Sequence, residues 1–427
     1  MKIIPTQQPS STLGPMIIIG SLFFIFGFVT WLNSLLIPYL KIACELSETQ
    51  SYLVTFAFYI SYLVMAPISA KVLKRYGFKK GMGISLAIMA LGAALFIPAA
   101  FLRAYELFLL GLFTIGGGLA ILQTASNPYI TILGPVESAA KRISIMGIFN
   151  KLAGAAAPIV LGFFLNLDEA DKIASQVNSL SKSEHKAALD AVALQVVHPY
   201  MGIVLVLAIL AYFIIKSNLP EVEPPEEEVE DSLSEAPERN SIWAHRQIVL
   251  GFIALFMYVG VEVIAGDTII AYGKSLGIPL SQAKFFTGLT MSAMISGYLI
   301  GIWAIPRFIA QEVALKWCAI LGMIFTVIIV STTGMVSLAF VAMLGLANSL
   351  VWPAIWPLAL RGMGRLTPSA SGLLVMGIAG GAVLPLAYGQ LSQLIGNTQA
   401  YWIVFPSYLF VLYYATLGHR TSHKQRP

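Results

Sequence analysis

Charge is scarce in this chain. Asp, Glu, Lys and Arg together make up 11% of its 427 residues, against about 25% in a soluble domain. So few charged groups cannot cover a water-facing surface, which excludes a soluble globular protein of this length. Cysteine is nearly missing. Cys44 and Cys318, in different halves of the chain, offer neither a disulfide framework nor metal-ligand spacing. The five histidines, His185, His198, His245, His419 and His423, all fall outside apolar runs or at their edges. No Gly-rich loop leads into Lys-Ser/Thr to cradle a nucleotide phosphate, which disfavours an ATP-driven machine. A cleavable leader is not expected, because the first apolar run, 16–40, is too long and lacks a small-residue cleavage site. The net charge of +5 comes from basic loops beside apolar runs and gives no argument for nucleic acid.

Apolar residues fill the space that charge leaves. They make up 57% of the chain, and mean hydropathy is +0.80. Runs punctuated by charge, Gly and Pro predict membrane spans at 16–40, 51–70, 81–101, 107–132, 144–165, 199–215, 247–271, 285–305, 314–331, 336–358, 369–392 and 399–417. Twelve spans of about 20 residues use roughly 240 residues, leaving ample chain for loops. With the amino terminus in the cytoplasm most Lys and Arg fall inside, so both termini are expected there. Residues 166–198 form a hydrophilic connection outside, with helical periodicity at Ala187, Leu189, Val192 and Leu194. Residues 217–246 are acidic and Pro-rich, and read as a disordered cytoplasmic linker. The expected organisation is a tail at 1–15, a bundle at 16–216, the linker at 217–246, a second bundle at 247–417 and a tail at 418–427.

The two halves echo each other. Lys74-Arg75-Tyr76-Gly77 follows the second span and Pro306-Arg307-Phe308-Ile309 the eighth. Asn127-Pro128 in the fourth span is matched by Trp352-Pro353 in the tenth. A nearly constant offset of about 230 residues indicates duplicated six-helix units. The predicted fold is an all-α membrane protein of twelve transmembrane helices in two pseudo-symmetric six-helix bundles.

Particular segments carry a resemblance. Gly27-Phe28-Val29-Thr30-Trp31-Leu32-Asn33-Ser34-Leu35-Leu36-Ile37-Pro38 in span one resembles the fucose/glucose/galactose–cation symporters of the major facilitator superfamily. So does Leu122-Gln123-Thr124-Ala125-Ser126-Asn127-Pro128-Tyr129, followed by Leu133-Gly134-Pro135. Tyr258-Val259-Gly260-Val261-Glu262-Val263 is similar to the glucose/galactose branch. The resemblance implies uptake of a hexose into a bacterial cell across the inner membrane, driven by a cation gradient through alternating access. Two departures bear on the ion. The fucose branch carries acidic residues where this chain has Ser34 and Gln123, so its proton-coupling groups cannot be carried over. Lys74 also stands where the superfamily's basic loop usually has an acid.

Ionisable groups inside a bilayer are costly and default to functional candidates. Of 21 acidic residues, two fall within a span, Glu262 and Asp267, both in the seventh. Their one basic counterpart away from a span end is Lys151 in the fifth. A buried charge without a partner is expensive, so pairing across the halves is expected, and these three residues are the ion-coupling candidates. Glu262 lies near the membrane midplane and within reach of Lys151. Asp267 lies about one and a half turns further out and about 140° round the helix, which suggests a different role. The alternative is a static pair, or separate groups in cavity water.

A sugar needs neutral hydrogen-bonding groups and a flat apolar surface. Asn33, Gln123, Asn127, Asn150 and Asn348 supply amides, which donate and accept at once. Trp31, Trp352 and Trp356 supply rings. Gln123 and Asn127 share a helix face, as do Trp352 and Trp356. Helix packing is the plainer role for a membrane amide, and an interfacial belt for a tryptophan. Proton and sodium both stay open as the co-ion, with sodium entering only as transported cargo and no cofactor expected. A facilitated-diffusion uniporter is the first rival, and N-acetylglucosamine, mannose or fucose are alternative cargoes. An enzyme acting on a lipid-linked sugar would want a carboxylate-rich or basic site at the membrane face, and none stands out. The expected partners are a monosaccharide, a cation and membrane lipid, around a monomer. Replacing Asn127 with Ala is expected to weaken sugar binding while expression stays near normal; unchanged uptake kinetics would assign Gln123 and Asn127 to helix packing.

Overall fold

The structure, a computed structural model, describes residues 13–132, 139–176, 181–217, 242–305, 307–363 and 366–420; of residues 13–15, 127–132, 139–141 and 368 it describes the backbone alone. Most of the expected linker at 217–246 and both tails lie outside the described residues. Every regular element among the described residues is helical. Eleven stretches are long and apolar enough to cross a membrane. One of them, Leu53–Leu102, runs for 50 residues, about 75 Å at 1.5 Å per residue, far more than a hydrocarbon core of about 30 Å. Gly77 resolves the excess. Its φ of 77° and ψ of 171° break the helix, in a conformation essentially confined to glycine. The stretch is therefore two spans, 53–76 and 78–102, and the total among the described residues is twelve.

The pattern of neighbours shows the pseudo-symmetry. In the first half, span one packs on five, two and three on four, and three on six. In the second half, seven packs on eleven, eight and nine on ten, and nine on twelve. The halves meet along two equivalent seams, five against eight and two against eleven.

Helices 167–194 lie over one end of the first half, here termed the cap face; the opposite end is the linker face. Asn166 and Ser181 cap the cap helices Leu167–Ser175 and Lys182–Leu194, the latter with a reciprocal Ser181–Glu184 capping box. Tyr39 Oη at the end of span one donates to Val192 O at 2.8 Å. The buried face is Leu189, Val192 and Ala193, whereas Ala187 and Leu194 are exposed. The expected periodicity is real but turned: a helix lying flat on the bundle buries a narrow i, i+3, i+4 stripe.

Where helices break, side chains repair the backbone, as a membrane demands. The seventh span bends at Thr268, between Arg246–Asp267 and Ile269–Ser275. There Thr287 donates to Gly266 O at 2.9 Å and Thr290 to Ala265 O at 3.3 Å. In span ten Pro357 has no N–H for Pro353 O, and Gln311 Nε2 donates to that carbonyl at 3.1 Å and to Ala354 O at 2.7 Å.

At the cap face the seam is shut. Tyr52 stands edge-on to Tyr388, with ring centroids 5.6 Å apart, and Thr49 Oγ1 donates to Gln393 Oε1 at 2.7 Å. Asp171 on the first cap helix pairs with Lys274 and accepts the Leu280 backbone N–H at 2.7 Å. Spans seven and eleven approach most closely at Gly380, where an added Cβ would lie 1.8 Å from Phe256 O; Gly372 on the same span has nothing within 4 Å. Gly380→Leu is expected to cost about 1–3 kcal/mol or more of stability, read as a lower melting temperature in detergent, whereas Gly372→Ala should melt with the parent. Equal melting of the two would remove close packing as the reason for Gly380.

Candidate functional site

The first span turns at Leu32, between Leu13–Trp31 and Asn33–Ala43. This break and the one at Thr268 in span seven are separated by close to the repeat length of about 230, and paired interruptions of this kind point to a midplane site. Trp31 closes the first helix and is 2% exposed. Its indole occupies a slot between glycines of the two halves. An added Cβ would reach the ring at 2.4 Å from Gly154 and at 2.1 Å from Gly266, so both positions exclude a side chain.

Lys151, three residues before Gly154, holds its ammonium 4.7 Å from the Trp31 ring centroid, within cation–π range. The same ammonium donates to Glu262 Oε1. The two side chains are 8% and 12% exposed, so the ion pair is largely dry. It joins span five of one half to span seven of the other. Tyr258, one turn before Glu262, sets its phenol against that carboxylate. Asp267 takes no part in the pair: it is 0% exposed, and both carboxyl oxygens lack a hydrogen-bond partner.

The amides divide. Asn33 is 1% exposed with both Oδ1 and Nδ2 unpartnered, and Gln123 is 7% exposed with Oε1 unpartnered. Thr30 Oγ1 and Trp31 Nε1 are orphaned beside them in the chain. An unmade buried hydrogen bond costs about 1–3 kcal/mol, so each of these groups carries an unmet bond. Asn150 is buried at 7% exposure, where its backbone oxygen would lie 2.1 Å from a Cβ on Gly27. Asn348 is turned toward the last span, accepting from Tyr408 Oη at 2.9 Å, with Nδ2 unpartnered. The Asn127 side chain lies outside those described. Trp352 and Trp356 stack at 5.3 Å and 23°, both half-buried, and leave their outer ring faces as the flat surface of the pair.

Several contributors had no sequence signal. Gly154 and Gly266 matter only because Trp31 lies between them. Thr30 stands out through its missing partner. Tyr258 was accessible in principle, through its i, i+4 spacing from Glu262.

Replacing Lys151 or Glu262 singly with Met leaves a buried charge unmatched, at about 3–5 kcal/mol. The double Lys151→Met/Glu262→Met variant is expected to recover most of that loss. Melting of the four proteins in detergent closes the cycle, and additive losses would show that the two charges do not act as a pair.

The Major Facilitator Superfamily profile matches residues 19–386. The glucose/galactose transporter of Brucella abortus (strain 9-941) is 36% identical over 403 residues, covering 94% of this chain and 93% of the relative. The L-fucose-proton symporter of Escherichia coli K12 is 31% identical over 398 residues, covering 91% and 89%. A crystal structure of the transporter FucP in the outward conformation superposes with a TM-score of 0.69 at 28% identity, covering 95% and 98%. The D-xylose-proton symporter shares the fold alone, with a TM-score of 0.69 at 16% identity over 95% of this chain and 97% of that one. The chain belongs to the Major Facilitator Superfamily, in the branch of the glucose/galactose transporters and L-fucose-proton symporters.

Proposed function

We propose that this protein imports a hexose of the glucose/galactose type across the bacterial inner membrane, coupled to a cation gradient. The cap face lies outside and both termini lie in the cytoplasm, an orientation supported by the distribution of Lys and Arg. The observation that carries the reading is the dry Lys151–Glu262 pair joining the halves beside the breaks in spans one and seven. An ion pair between two bodies that rock against each other is a bistable contact. It stabilises one arrangement and has to be exchanged for other partners in the next. Sugar hydroxyls can provide them, with the orphaned Asn33 and Gln123 amides completing the set. Trp352 and Trp356 offer the flat surface on which a pyranose ring stacks. Spans one, four, seven and ten line the path in this scheme.

The sugar and the coupling come from the relatives, which bear the names of a glucose/galactose transporter and an L-fucose-proton symporter. The uniporter is the second reading, favoured by Ser34 and Gln123, neither of which can titrate.

Reconstituted vesicles test both. Labelled glucose or galactose is expected to accumulate above its external concentration under an inward cation gradient, with fucose and N-acetylglucosamine competing more weakly. Equilibration without accumulation under proton and sodium gradients alike would establish the uniporter. No movement of any hexose would remove the function itself.

A further inference from the structure

Resting on the cation-coupled reading above, we infer that Asp267 is the seat of the transported cation, that the cation is a proton, and that closure of the cap-face seam over this carboxyl couples it to the sugar. Asp267 and Glu262 share a helix but not an environment. Glu262 has the Lys151 ammonium against it. Asp267 is 0% exposed and meets no donor. The charged groups acting on it are Glu262 and Lys151, and these two already match each other. From span two, the phenols of Tyr52 and Tyr59 lie within electrostatic range of it. A carboxylate anion left in such a place is strongly disfavoured, whereas the neutral acid costs what an unpaired hydroxyl costs.

A hard cation must replace most of its hydration shell with protein oxygens, and the second carboxylate of this helix, Glu262, is taken by Lys151. The nearby hydroxyls donate to the backbone and not to the Asp267 carboxyl. Thr287 and Thr290 bond the carbonyls of Gly266 and Ala265. Thr268 Oγ1 bonds Ile264 O and Tyr401 Oη, both at 2.7 Å. A proton needs the carboxyl alone.

The gate is tied to the same place. Tyr401, which holds the residue next to Asp267, lies 4.9 Å from Tyr388, and Tyr388 closes on Tyr52 of the opposite half. Gly381, on the span that carries Tyr388, packs against both Tyr59 and Val263. Parting span two from span eleven separates Tyr52 and Tyr59 from Tyr388 and Tyr401, and water from the cap face then reaches Asp267. There the carboxylate takes one proton from water. Shutting the seam again requires the neutral acid, which binds one proton to each closure. Lys151 and Glu262 remain free to answer to the sugar.

The test uses vesicles containing the full chain and a trapped pH-sensitive dye, with hexose added outside and no imposed gradient. The parent is expected to acidify the interior as hexose enters. Asp267→Asn, equal in shape and permanently neutral, should lose acidification and concentrative uptake, while labelled hexose still exchanges between equally loaded compartments. Asp267→Glu should keep acidification and shift the pH dependence of uptake. Acidification by Asp267→Asn at the parental rate overturns the assignment, as does sugar-dependent entry of labelled sodium into parental vesicles without acidification. Should the Asn variant not insert, an Asp267→Glu profile superimposable on the parent overturns it equally. Downhill hexose entry by the parent with no ion movement is the separate result that removes coupling, and no hexose entry at all removes the transport reading.

Discussion

A charge inside a bilayer has to be met by an opposite one, and here the two partners come from different six-helix bundles. Lys151 and Glu262 meet between spans five and seven, so the cost of burying either is offset only while the halves are together in this arrangement. The neighbourhood of the pair follows from that need. Trp31 lies under the ammonium, Tyr258 lies against the carboxylate, and glycines at 154 and 266 let the backbones approach the indole from both sides. Static packing would be served as well by leucine. An ion pair across the seam holds only in a narrow range of separations, unlike an apolar contact that tolerates sliding.

The same shortage of water shapes the backbone. The bends at Leu32 and Thr268 keep helical backbone angles but interrupt the run of helical hydrogen bonds at membrane depth, where free carbonyls are not tolerated. Threonines of span eight and Gln311 of span nine fill the positions that bent helices leave open. These polar side chains look dispensable in a hydropathy plot, yet each answers a specific missing N–H. The orphans that remain, at Thr30, Asn33, Gln123 and Asp267, therefore stand out. A chain that satisfies its backbone this carefully leaves few polar atoms idle without use for them.

Much of this was legible in the sequence, for physical reasons. Membrane spans are long and apolar, so their number and order came from composition. The basic stretch Lys74-Arg75-Tyr76-Gly77 already separated spans two and three, and Gly77 is where the helix breaks. Costs alone led to the expectation of a pair across the halves, since Lys151 had no acidic neighbour in its own half. They did not choose between Glu262 and Asp267; the structure pairs Lys151 with Glu262. Rotation about a helix axis was harder. Nothing in the pattern of the 182–194 segment told Ala187 and Leu194 from the stripe that packs, because a flat-lying helix needs few apolar residues. The turn of Asn348 toward Tyr408 depends on span twelve, sixty residues away. The sequence set Asp267 about 140° round the helix from Glu262, but its complete burial, with the span-two phenols of Tyr52 and Tyr59 in electrostatic range, is announced by no local motif.

The clasp between Asp171, Lys274 and the Leu280 amide lies at the solvent end of the seam, with the two charged side chains 22% and 31% exposed. Unlike the dry pair at the midplane, it is open to mobile ions, whose screening acts over about 8 Å at physiological ionic strength. One molecule thus holds its halves together with two locks of different character. The inner one is shielded from the surroundings, and the outer one is exposed to the saltiness of the medium that bathes it.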